Sequence, residues 1–325
     1  MKKHFKKLLL MALMAVMAVG LIACGTDKSD NESTKEEKTS VTITSLDSSK
    51  NEIELEVPYN PKRIAILDLA SLDIIDELGV GDRVVGMAST SIDYLEKYSN
   101  DSSIKNLGTI KEADLEAVME CEPDIIFIGG RLSNSYDALS EIAPVVYLAT
   151  DTNEGLVNSV SKNAKTIASI FGIEDKVNSL MSDFGARIDA IKKISSGKTA
   201  LVGMTTSGSF NLLGNDGRCS LIGVEAGFNN LTAAGSTSTH GNESSFETVV
   251  QQNPDYIFVM DRDSAISTAG AKTAKEIVEN ELVKTTDAYK NNHIIYLEHS
   301  NVWYTAEGGI QALDIMLTDL EKGLK

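Results

Sequence analysis

Arg131 and Arg262 close two stretches of sequence that align without a gap at an offset of 131 residues. Leu115 to Arg131 reads LEAVMECEPDIIFIGGR, and Phe246 to Arg262 reads FETVVQQNPDYIFVMDR; Glu, Val, Pro, Asp, Ile, Phe and Arg coincide. Each copy has the pattern of a short helix, a Pro-Asp turn and a buried strand. The arginine falls at the carboxyl end of that strand, where open parallel sheets bind ligands. A third arginine, Arg218, ends the turn-like segment Gly214-Asn215-Asp216-Gly217. Guanidinium groups stay charged and donate paired hydrogen bonds, which suits an oxygen-rich anion. Any one of them could simply end a strand and pair with a local acid such as Asp261. Two at equivalent points of a repeat argue for a shared site.

Two further side chains stand out for the chemistry they could offer. His240 sits in a loop of small polar residues, Gly235 to Asn242, and Tyr304 follows Trp303, the only tryptophan. An imidazole can donate a ring nitrogen, and a phenol a hard oxygen. The bland alternatives are a surface histidine and an aromatic anchor for one lobe. His293 and His299 border a predicted strand and read as structural. Glu116 and Glu247 each open a helix, where the dipole favours a carboxylate. Catalytic constellations are thinly supplied: the chain has no Gly-x-Ser-x-Gly, His-Glu-x-x-His, Cys-x-x-Cys or phosphate loop. The expectation is a binding protein without enzymatic activity.

The elements that must position these residues alternate between strand and helix. In the first half, strands are expected at Arg63 to Leu67, Arg83 to Met87 and Val145 to Leu148, with helices at Ser71 to Leu78 and Tyr136 to Ile142. In the second half, strands fall at Thr199 to Met204 and His293 to Leu297, with helices at Ser220 to Ala226, Ala274 to Lys290 and Gln311 to Leu324. Such alternation predicts an α/β protein with parallel-type sheets covered by helices. The repeat predicts two similar lobes with a ligand cleft between them. Val157 to Ile194 has few breakers after Gly172 and reads as one or two helices joining the lobes. The division is therefore 41–156 for the N-terminal lobe, 157–195 for the connection and 196–325 for the C-terminal lobe.

The chain begins with Lys2, Lys3, Lys6 and Lys7, then an apolar run from Leu8 to Ile22 that ends in Leu21-Ile22-Ala23-Cys24. A basic head and a short apolar core are the plan of a secretory signal, assigned to residues 1–23. The final string resembles a bacterial lipobox, which implies a lipid on Cys24 and a place on the outer face of a cell membrane. Residues 24–40 hold no large apolar side chain and are expected to form a flexible tether. Removing residues 1–23 deletes four lysines and no acids, leaving 26 basic against 47 acidic residues. So acidic a chain excludes nucleic acid as a partner. The remaining cysteines, Cys121 and Cys219, are expected as free thiols.

From about Val41 to the end, the chain resembles the substrate-binding lipoproteins of ABC importers for ferric siderophores, haem and cobalamin. The lipobox, the two Glu…Pro-Asp-strand copies and the joining helices carry the resemblance. Several segments look closer to the branch that binds petrobactin and related catecholate siderophores: Gly108-Thr109-Ile110-Lys111-Glu112, Arg131 to Tyr136, Gly217-Arg218, Ser238 to Gly241, Asp261 to Ile266 and Trp303-Tyr304. The resemblance implies that Arg131, Arg218 and Arg262 neutralise a ferric catecholate, with a contribution from Lys111. It implies that His240 and Tyr304 bind iron directly when the siderophore supplies four of six donor atoms. It also implies that Glu116 and Glu247, one on each lobe, meet a permease dimer served by its ATPase. The iron would arrive within the ligand, with no intrinsic cofactor, and the receptor would be a monomer. A haem-binding protein of the same fold, with His240 or Tyr304 as axial ligand, is the rival expectation.

Overall fold

The computed structural model describes residues 38–234 and 237–325. The signal segment, Cys24 and the tether up to residue 37 lie outside the described residues, as do Gly235 and Ser236 of the His240 loop. Among the described residues no helix is long and apolar enough to cross a membrane.

Both repeat copies fold alike. The side chains of Asp114 and Ser245 cap the helices Leu115–Glu120 and Phe246–Gln252 by accepting from the N–H groups of Ala117 and Thr248. Such a cap satisfies one of the donors that a helix start leaves unpaired. After the Pro-Asp turn the chain enters the strands Ile125–Ile128 and Tyr256–Asp261. The aspartate of the turn explains its own repetition. Asp124 accepts from the N–H groups of Lys62 and Arg63, just ahead of the strand Ile64–Ile66. Asp255 accepts from the N–H and hydroxyl of Thr199, which opens the strand Thr199–Thr206. In each lobe the carboxylate ties the start of one strand to the start of its parallel neighbour, Ile64 opposite Ile125 and Ala200 opposite Tyr256.

The first sheet is wholly parallel, in the order Lys105–Asn106, Val84–Met87, Ile64–Ile66, Ile125–Ile128, Val145–Tyr147. The second places Thr199–Thr206 parallel to Asn229–Asn230 and Tyr256–Asp261, and the latter parallel to Ile294–Tyr296. Ser209–Leu212 and Asn242–Glu243 extend it as an antiparallel edge. Helices cover both faces, so alternate residues of each central strand enter different cores. Ala65, Leu67, Ile126 and Ile128 pack in one cluster, and Leu201, Ile257 and Val259 in another. Their neighbours Ile64, Ile66, Phe127, Val202, Phe258 and Met260 all join a third cluster, which runs through both lobes and the helices between them.

Four expectations are corrected. The segment 157–194 forms three helices, Leu156–Phe171, Asp175–Leu180 and Phe184–Ser195, because Gly172 turns left-handed at φ 67° and the chain breaks again around Met181 to Asp183. The expected helix Ala274 to Lys290 is two short helices, Ala274–Val278 and Asp287–Lys290, with a tight turn at Val283–Thr285. There the Asn280 side chain accepts from the N–H groups of Leu282 and Val283, and Thr286 caps the second helix. The expected tether reaches one residue too far: Ser40–Leu46 pairs antiparallel with Glu52–Pro58, a hairpin the sequence reading omitted. Ser45 fastens it to the sheet edge, its hydroxyl accepting from the Tyr147 N–H at 3.0 Å. The last helix, Ile310–Gly323, packs on Leu69–Glu77 of the first lobe and on Phe184–Ser195 as well as on Ser300–Thr305, so it is not confined to the second lobe.

Candidate functional site

Arg131 follows Ile125–Ile128 in the tight turn Gly130–Ser135, and Arg262 begins the short helix Arg262–Ala265 directly after Tyr256–Asp261. Arg218 precedes Cys219, the residue that leads into the helix Ser220–Val224. Tyr304 lies on the helix Ser300–Thr305 beyond Ile294–Tyr296. The three guanidinium carbons lie 5.7, 4.5 and 5.7 Å from the centre of the Tyr304 ring, in the order Arg131, Arg218, Arg262. Arg131 donates to the Tyr304 carbonyl at 2.8 Å, Arg218 to the same carbonyl at 3.5 Å, and Arg262 to the Tyr304 hydroxyl at 3.2 Å. Among the described residues only Arg262 of the three is ion-paired, to Asp263 at 3.2 Å and not to Asp261. Asp261 instead caps its own helix and accepts from the Ala274 N–H.

Three cations around one ring repel one another, and cation–π attraction offsets only part of that. Burial, then the charge of Arg218, draws the Arg131 guanidinium below its ordinary value, against the pull of Tyr304, Asp68 and Glu307. The Tyr304 phenol is pushed up by burial. The hydrogen bond from Arg262 and the charges of Arg218, Arg262 and Lys111 outweigh that and hold it below the ordinary value. Lys111, exposed at the tip of the hairpin Gly108–Thr109 and Glu112–Ala113, thus contributes charge to the site from outside. His240 is exposed, and burial together with Arg262, Arg218 and Lys111 holds its imidazole low. That favours the neutral ring, the form that ligates metal. Its loop is held at both sides: the Thr239 carbonyl accepts from Arg218 at 2.8 Å and the His240 carbonyl from Asn211 at 2.8 Å.

A cleft of about 320 Å³ opens beside this cluster, lined by residues that include Asp68, Arg131, Arg218, Tyr304 and Glu307. Arg262, His240 and Lys111 lie outside that lining. Asp68 and Glu307 were missed by the sequence reading. Asp68 caps the helix Leu69–Glu77, its carboxylate accepting from Ser71, and burial pushes its carboxyl up. It follows a parallel strand at the carboxyl end, and that position was its signal. A side chain on Gly129 would run into the Asp68 carboxylate, so the glycine leaves room for Asp68 at this strand end. Glu307 gives no comparable signal, because its partner is 88 residues away: its carboxylate accepts from the Cys219 N–H at 2.9 Å.

Other expected residues lie elsewhere. Glu116 and Glu247 are exposed in the first turns of the repeated helices. Cys121 and Cys219 are both free and buried. His293 stacks on Tyr256 at 4.2 Å, and His299 bonds Asp319 at 2.7 Å. Trp303 is fully buried and donates to Asp319 at 2.9 Å, so the aromatic pair divides into one anchor and one site residue.

Known proteins share this fold and sequence pattern. The petrobactin-binding protein YclQ of Bacillus subtilis is 36% identical over 98% of this chain and 99% of its own length. Its crystal structure matches with a TM-score of 0.80, covering 88% of this chain and 99% of that one. The catecholate-siderophore binding protein VctP of Vibrio cholerae is 30% identical, with a TM-score of 0.78, over 87% of this chain and 100% of its own. The ferric-anguibactin-binding protein FatB of Vibrio anguillarum is 27% identical over 82% of this chain and 84% of its own. Residues 64–300 match the periplasmic binding protein family, and the chain belongs to it.

Proposed function

We propose that this protein captures a ferric catecholate siderophore of the petrobactin type outside the membrane and delivers it to an ABC permease, without chemistry of its own. The observation that carries the reading is the convergence of Arg131, Arg218 and Arg262 on Tyr304, with two of the three lacking a carboxylate ion-pair partner among the described residues. A ferric tris-catecholate carries about three negative charges and needs compensating cations in a partly dry cleft. Arg131, Arg218 and Arg262, helped by Lys111, provide them without donating electrons to iron. His240 and Tyr304 complete the iron coordination when the siderophore leaves two positions open. Lipid on Cys24 holds the monomeric receptor at the cell membrane, and Glu116 and Glu247 dock one lobe on each permease subunit.

The test is quenching of intrinsic fluorescence in the domain that follows the tether. It is titrated with ferric petrobactin, a ferric bis-catecholate, a hydroxamate complex and haem. Nanomolar quenching by the catecholates, lost in the Arg131→Ala, Arg262→Ala double variant, supports the reading. Tight haem binding with silent catecholates overturns it and makes His240 and Tyr304 haem ligands.

A further inference from the structure

The cleft floor contains an acid that an anion receptor does not obviously want. Glu307 follows the helix that carries Tyr304 and lines the cavity beside Arg131 and Arg218. Its Oε1 accepts from the Cys219 N–H at 2.9 Å. Cys219 stands at φ 61°, ψ 14°, a left-handed conformation that is costly for a side chain other than glycine. Its own side chain does not cap the helix it precedes. The bond to Glu307 therefore holds a strained residue in place, and Arg218 is attached directly before it. With Cys219 seated, the Arg218 guanidinium lies 4.5 Å from the Tyr304 ring centre. Resting on the anion-cleft reading above, we propose that Glu307 is a positioning residue for Arg218, and that it takes up a proton when an anionic ligand enters.

The proton follows from the surroundings. The charged and titratable groups that face Glu307 are Cys219 and Arg218 from the preceding turn, Glu225 from the end of the helix Ser220–Val224, and Arg131 from the first lobe. Asp68, Asp216 and Tyr304 share the cavity lining. In the empty cleft, Arg218 and Arg131 compensate an ionised Glu307. An incoming anion claims the same two guanidiniums and leaves the carboxylate facing like charge, to which Glu225 adds. Taking up one proton removes that repulsion, and the carbonyl oxygen of the neutral acid still accepts from Cys219, so Arg218 keeps its seat. The group is poised for this. Burial raises its carboxyl to about 7 against the Cys219 hydrogen bond and the pull of Arg218, with Glu225 raising it further and Arg131 lowering it. By linkage, a ligand that favours the protonated form binds best below the empty-state value and weakens as pH rises above it.

Calorimetric titration with a ferric bis-catecholate, from about pH 6 to about pH 8 in phosphate and in Tris, counts the protons taken up on binding. Wild type, Glu307→Gln and Glu307→Ala are compared, so that protonation of the ligand itself is common to all three. Glu307→Gln keeps the acceptor and loses the charge. It is expected to bind as tightly as wild type or more tightly at the upper end, with a flatter pH profile and a smaller proton uptake. Glu307→Ala, checked for an intact thermal transition, is expected to bind on the order of tenfold more weakly because Arg218 loses its seat. Equal proton uptake in wild type and Glu307→Gln, or wild-type affinity in Glu307→Ala, would overturn the inference while leaving the anion reading intact. A wild type silent to catecholate, while the protein is folded, would overturn both.

Discussion

Tyr304 is the residue on which the site turns. Its carbonyl takes two of the arginines and its hydroxyl the third, so one side chain and its own backbone set the spacing of the cationic cluster. Removing the hydroxyl leaves the carbonyl contacts standing and costs Arg262 one acceptor, with Thr206 and Asp263 remaining. Tyr304→Phe is therefore expected to fold normally and to bind a complete tris-catecholate within a few-fold of wild type. If the phenol ligates iron where a bis-catecholate leaves positions open, the same variant should bind that complex at least tenfold more weakly. Absorption titrations with the two complexes check this. Equal losses for both would assign the phenol to arginine packing alone.

At the scale of elements, buried carboxylates hold helix starts that their own residues leave uncapped. Glu225 accepts from the Val157 N–H at 2.7 Å, at the start of Leu156–Phe171. Asp73, fully buried on Leu69–Glu77, accepts from the N–H groups of Gln311 and Ala312 at 2.9 Å each and from the Tyr94 hydroxyl at 2.6 Å. Burial raises its carboxyl to about 6, against the hydrogen bonds of Tyr94, Gln311 and Ala312. The folded value lies above the unfolded one. The group's contribution is thus fully present below about pH 4 and is lost as pH rises through about 6. Asp73→Asn should flatten the fall in stability over that window, and Asp73→Ala should cost roughly 2–4 kcal/mol by orphaning three donors. Urea unfolding at both ends of the window measures both effects, and an unchanged pH profile in Asp73→Asn would refute the assignment. These links also mark where sequence reading stops. The repeat, the alternation of strand and helix and the three arginines were legible because periodicity and local pattern carry them. Asp73, Glu225 and Glu307 were not, because their partners lie 238, 68 and 88 residues away and no local pattern encodes them. The hairpin at Ser40–Leu46 was omitted although its alternation is local: it lies next to the polar tether, and that composition masked it.

For the whole molecule, the largest core is the decisive element. It includes Ile64 and Phe127 of the first sheet, Val202 and Phe258 of the second, Ile167 and Ile188 of the connecting helices and Leu317 of the last helix. Arg187 adds a polar clasp from the connection to the last helix, bonding Glu321 at 2.7 Å and also Asp314. Opening such a core exposes apolar surface at roughly 25 cal/mol per Å², so wide hinge motion is disfavoured. Small-angle scattering with and without a ferric catecholate should show nearly superimposable curves. A large compaction on binding would count against a rigid frame.

A frame of that kind makes the receptor a fixed gauge. Glu116 and Glu247 stand on opposite lobes, and if the frame is as rigid as predicted, the core those lobes share keeps one span between them with the cleft filled or empty. A permease that grips both carboxylates therefore meets the same calliper from an empty receptor as from a loaded one. Occupancy has to be read locally at the cleft mouth, and empty copies become rivals for the docking surface. When siderophore is scarce, adding ligand-free receptor to a reconstituted importer should slow uptake. Glu116→Ala, Glu247→Ala receptor should lose that power to obstruct.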